Sequence, residues 1–154
     1  CKIIYFVILP ILFLTHKEII MADFQKEKIV NFWKDGARKS LRLANDIAKR
    51  KYYDHALFCG HLALEKLLKA MVVLKVDSHA PHSHDLLYLA GLAKIDLDVD
   101  TQTMLAEINE FNIEGRYPEE KLDFHRRINK AVADEWLQKI NKIFLWLSKL
   151  KEKN

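Results

Sequence analysis

From Asp23 to Asn154 the apolar residues recur at steps of three and four, with almost no strand signal. That period marks one face of a helix, so the chain is confined to helical architectures. The last segment shows it most plainly: Trp136, Ile140, Ile143, Leu147 and Leu150 are spaced 4, 3, 4 and 3, with Leu137 and Phe144 beside the seam. Glycine occurs 4 times and proline 3 times in 154 residues, too few for a turn-rich β protein or a low-complexity linker. Half of the residues are apolar, and the length suits one compact domain.

The spacing predicts five helices. The first runs from about Phe24 to Arg50, with Val30, Trp33, Ala37, Leu41, Ala44 and Ala48 inward. The second runs from about Tyr53 to Val76, with a stripe of Leu57, Gly60, Leu64, Leu67, Leu68, Met71 and Leu74. Asp54 in its first turn suits the positive end of the helix dipole. A loop holding Pro81 leads to a short third helix, His84 to about Ala93, capped by Ser83 and frayed at Gly91. A fourth helix, Thr101 to about Ile113, turns Leu105, Ile108 and Phe111 inward and is broken by Gly115-Arg116-Tyr117-Pro118. The last covers about Asn129 to Leu150. Short connections favour antiparallel neighbours, hence an all-α, up-and-down bundle of four to five helices. In such a bundle the loops after the second and fourth helices share one end, which would bring Pro81–Asp85 near Gly115–Pro118.

The first twenty residues stand apart. Ile3–Leu14 is an unbroken apolar run of twelve, interrupted in conformation by Pro10 and short of the roughly 20 residues that span a bilayer. No small-x-small cleavage site follows it. Composition changes abruptly at Met21-Ala22-Asp23. Lys17-Glu18 can be encoded by AAG-GAG, which resembles a ribosome-binding site two codons before Met21. The expectation is a translated leader over residues 1–20 and a single domain over 21–154, with no membrane association of that domain.

The net charge is +4, mildly basic, which permits contact with nucleotides or RNA without demanding it. Basic residues gather at Arg38, Lys39, Arg42, Lys49, Arg50 and Lys51, and again at Arg126, Arg127 and Lys130, interleaved with acids and read as solvated helix faces. Two cysteines, Cys1 and Cys59, make no disulfide framework and fit a reducing cytoplasm. Cys59 reads as a small core residue. There is no glycine-rich phosphate loop, no H-E-x-x-H and no serine or cysteine nucleophile motif, so no cofactor is implied.

Three polar groups could carry chemistry. His61, Glu65 and Lys69 stand at i, i+4 and i+8 on the second helix. They form either a solvated face with a Glu–Lys pair or a stripe facing a groove that could hold a polar ligand. His79, His82, His84 and Asp85 cluster within seven residues. Loop and cap polarity accounts for them better than a metal, whose ligands usually come from more than one element. His84 could also serve a site at the start of the third helix. Arg116 offers a fork for phosphate and Tyr117 a face for stacking, or the two simply close the bundle end.

In that order and at suitable intervals, His61-Leu-Ala-Leu-Glu65-Lys66-Leu-Leu-Lys69-Ala70, His84-Asp85-Leu86 and Arg116-Tyr117-Pro118 resemble the HEPN domain (higher eukaryotes and prokaryotes nucleotide-binding domain) over about Asp23 to Leu150. The resemblance implies a bundle of four or five helices, often a homodimer. It also implies a nucleotide or a minimal nucleotidyltransferase as partner, as in toxin–antitoxin pairs, with RNA as a further ligand. It carries ligand-binding roles onto Glu65, Lys69, His84, Arg116 and Tyr117. Many members are metal-independent ribonucleases with an Arg, four to six residues, then a His near the last helix. This chain departs from that pattern, with eight residues between Arg116 and His125. Arg50 and His55 have the right spacing but bridge the first and second helices. The expected function is therefore a non-catalytic, cytoplasmic binding module. The alternatives are a ribonuclease using His125 or His55 with Arg116 or Arg50 across a dimer interface, and a purely structural dimerising module that uses Leu145 and Trp146.

Overall fold

The computed structural model describes residues 16–76, 78–114 and 128–150. Among them are five helices and no strand: α1 (His16–Lys49), α2 (Tyr53–Val76), α3 (Leu86–Leu92), α4 (Val99–Glu114) and α5 (Lys130–Lys149). The all-α bundle expected from the periodicity is the observed architecture.

The hub is α2, which packs against each of the other four helices. Its residues are buried nearly all round, from Asp54 and Ala56 to Val72 and Val73, rather than along the single stripe expected. A helix apolar on every side is a helix surrounded by others. α1 approaches it through small residues: Ala37, Ser40 and Ala44 are buried in the seam. The Lys66 stem crosses this seam beside Gly36, and its ammonium donates to Ser40 Oγ at 2.9 Å. α5 comes as close on another side. A Cβ on Gly60 would lie 2.7 Å from Ile140 Cδ1, so glycine is what permits that approach.

Helix ends follow local hydrogen bonding, and here the structure corrects several boundaries. α1 reaches back to His16, beyond Phe24, because Lys17 to Ala22 contains no proline, glycine or cap that would stop it. It closes on Lys51, a non-glycine residue at φ 67°, with Tyr52 N donating to Ile47 O and Lys51 N to Ala48 O. This is a Schellman end without its usual glycine. α3 ends the same way on Lys94 at φ 54°. α3 is capped by Asp85, whose side chain accepts from Leu87 N at 2.9 Å and Tyr88 N at 3.3 Å. Ser83 instead accepts from Asp85 N, so His84 precedes the helix rather than opening it, and Gly91 lies inside it. Asp98 caps α4, accepting from Thr101 N at 2.7 Å, which sets the start two residues early.

α5 is capped by Asn129, as its predicted start implied. Its seam is rotated from the expected one: Leu137 and Phe144 are core residues, whereas Trp136 is partly buried and Leu150 exposed. Trp136 instead meets Phe111 of α4 in a T-shaped ring contact, 5.4 Å between centroids. Asn45 of α1 and Asn141 of α5 exchange amide hydrogen bonds at 3.3 and 3.5 Å. Among the described residues, no helix is long and apolar enough to cross a membrane.

Candidate functional site

His61, Glu65 and Lys69 occupy successive turns of α2, and all three are buried, at 0%, 4% and 6% exposure. The solvated-face reading of this stripe is overturned. The cause is the hub position of α2: α1 covers Lys69 with Trp33, and the segment before α3 folds back over Glu65 with His84.

Glu65 is the centre of the arrangement. Its Oε1 accepts from Lys69 Nζ at 2.8 Å and its Oε2 from His84 Nδ1 at 3.0 Å. The Lys69 ammonium also lies 5.3 Å from the centroid of the Trp33 ring, within cation–π range. His61 Nδ1 stands 3.8 Å from Glu65 Oε2. Burial pushes the Glu65 carboxyl up. The hydrogen bonds from Lys69 and His84, with the charges of Lys69 and His61, outweigh it and hold the group below the ordinary carboxylate range. Glu65 is thus an ionised acceptor, which assigns the His84 proton to Nδ1.

His84 is fixed from three directions. Glu65 holds its ring. His61 Nε2 donates to its carbonyl oxygen at 3.0 Å, which assigns that proton to Nε2. Asn109 of α4 secures the next two residues, donating to Asp85 Oδ1 and accepting from Leu86 N, both at 2.9 Å. The His84 side chain is 44% exposed, so a buried charge pair reaches solvent through one rigidly held imidazole.

Glu65, Lys69 and His84 are therefore brought together. Arg116 and Tyr117 lie outside the described residues, as do His125, Arg126, Arg127 and the approach of Gly115–Pro118 to Pro81–Asp85. His61 is the member that reading the sequence did not carry into the site. The signal was there: it stands one turn before Glu65 on the same face of a strongly apolar helix. His79 and His82 are exposed. Among the described residues, no group of three or more His, Cys, Asp or Glu is placed to hold a metal ion. Cys59 is half-buried, and burial pushes its thiol up, which suits a packing residue.

The profile of the HEPN domain matches residues 30–151 of this chain. The chain belongs to the HEPN family. At family level this HEPN domain is a helical domain of nucleotide-binding or ribonuclease type. Its fold is similar to that in the crystal structure of TT1696 from Thermus thermophilus, with a TM-score of 0.65 and 23% identity, covering 78% of this chain and 96% of that one. No match was found among curated proteins. Within the HEPN fold, Arg50 and His55 sit at the exposed α1–α2 corner, where His55 Nδ1 donates to Asp54 Oδ1 at 2.9 Å. The ten residue steps from His55 to Glu65 put this corner about 15 Å along the helix from the buried network.

Proposed function

We propose that this HEPN domain is a non-catalytic module, acting as a homodimer in the cytoplasm. It binds a nucleotide, or a nucleotide-bearing partner such as a minimal nucleotidyltransferase, in a toxin–antitoxin-like pair. The observation that carries this reading is the buried Glu65–Lys69 pair closed by His84. Such a pair is a poor stabiliser: apolar residues of similar volume are often neutral or better by about 1–4 kcal/mol. A charged network with one exposed imidazole at its edge fits recognition of a charged, polar ligand better than cohesion. In this reading Lys69 and Arg116 meet phosphate, Tyr117 stacks on the base, and Glu65 with His84 orients polar groups. Exposed Leu145 (57%) and Trp146 (37%) on α5 support the self-association.

Calorimetric titration with ATP, GTP and short RNA tests the ligand. Binding tighter than millimolar is expected, and Arg116→Ala weakens it at least about tenfold, as losing a charged hydrogen-bond partner should. Absent binding, or binding indifferent to Arg116→Ala, overturns the ligand assignment, and RNA cleavage during the titration overturns the non-catalytic one. Sedimentation velocity tests the dimer, which Leu145→Asp should dissociate.

A further inference from the structure

The stretch from Arg38 to His55 holds six basic residues and two acidic ones, a surplus of four. That equals the formal net charge of the whole chain, +4, so the remaining sequence is balanced. The surplus is also concentrated in space. At 100° per residue, the charged residues from Asp35 to Arg50 fall on one arc of α1 about 120° wide, opposite its buried face. Within that arc Arg38 pairs with Asp35 and Lys49 with Asp46, at 2.8 and 3.0 Å. Asp54 is buried and hydrogen-bonded to His55. Lys39, Arg42, Arg50 and Lys51 are exposed and make no ion pair among the described residues. From Lys39 to Arg50 they span about 16 Å along the helix. The row ends at an aromatic corner, where Tyr52 is 59% exposed and meets the His55 ring edge-on at 6.4 Å. The Schellman turn at Lys51 holds that corner in place.

We infer that the outer face of α1 and the α1–α2 corner bind single-stranded nucleic acid, with Lys39, Arg42, Arg50 and Lys51 on phosphates and Tyr52 stacked on a base. A positive track beside a protruding aromatic ring is what an extended strand needs: charge along the backbone and a π face for one base. An acidic protein would use the charges but has no need of the exposed ring. The surface is separate from the Glu65 network and does not depend on the role proposed for it.

The test is fluorescence anisotropy of a labelled uridine dodecamer with the full chain, across a salt series. Four phosphate contacts predict a log–log salt slope of about −3, at about 0.7 per contact in a single strand. Arg42→Gln with Arg50→Gln should flatten it to about −1.5. Tyr52→Leu should weaken binding about tenfold at unchanged slope, and Tyr52→Phe should retain affinity because the stacking face remains. All of these residues are exposed, and unchanged thermal melting verifies the fold. No binding, or a slope indifferent to the arginine substitutions, overturns the inference. Polyglutamate competing equally well, with no effect of Tyr52→Leu, overturns it in favour of unspecific charge attraction. Displacement of the dodecamer by excess ATP overturns it in favour of one shared site. If ATP does not bind at all, the proposed nucleotide site falls while dodecamer binding still decides this one.

Discussion

Removing the Glu65 carboxylate would leave Lys69 buried against Trp33 with its counter-charge gone. Glu65→Ala should therefore cost about 3–5 kcal/mol in urea unfolding, the range for stranding one member of a buried pair. The acid response follows from the same group. Its folded-state pKa lies below the unfolded value of about 4.3. Ionised Glu65 thus contributes stability that is present above that value and lost as pH falls through the folded pKa. Urea midpoints across an acid series should show the gap between wild type and Glu65→Gln narrowing below about pH 4. The i, i+4 spacing of Glu65 and Lys69 was legible in the sequence. Their burial was not, because spacing along one helix does not say what covers it. Ser83 is a good cap in sequence and places His84 inside the third helix, but Asp85 is the residue that caps it. The choice of Asp85 frees the His84 carbonyl to accept from His61.

Two glycines make opposite cases at the level of the elements. At Gly36 a Cβ would stand 3.4 Å from the flexible Lys66 stem, so Gly36→Ala should stabilise by about 0.5–1 kcal/mol through helix propensity. At Gly60 the same propensity gain meets Ile140 Cδ1 at 2.7 Å, inside the core. Overpacking costs about 1–3 kcal/mol, so Gly60→Ala should be net destabilising in thermal melts. Ile140→Val removes the obstructing methyl, and on that background the Gly60→Ala effect should reverse sign. Element existence was readable throughout: Asn129 marked the start of α5, and the turn between α1 and α2 fell where expected. The rotated seam of α5 was not, since Trp136 and Leu137 are adjacent and both apolar, and the period alone does not fix the rotation of the helix about its axis.

The whole molecule is organised around α2, with every other helix packed on it. No helix can leave without exposing part of that hub, so unfolding should be a single cooperative transition. Helical circular dichroism and tryptophan fluorescence should report coincident midpoints, since Trp33 sits on α1 and Trp136 and Trp146 on α5. Separate midpoints would mean that α1 or α5 is an independent unit. The bundle class was readable from period alone. The hub was less so, because an apolar helix with one polar line can be either central or half-covered.

The polar line on α2 runs along the axle on which the whole assembly turns. A molecule gripping Lys69 and His84 would press on that axle directly, and each helix seated on it would register the load. Fluorescence of Trp33, which lies against the Lys69 ammonium, is therefore the place where such a grip would first be felt.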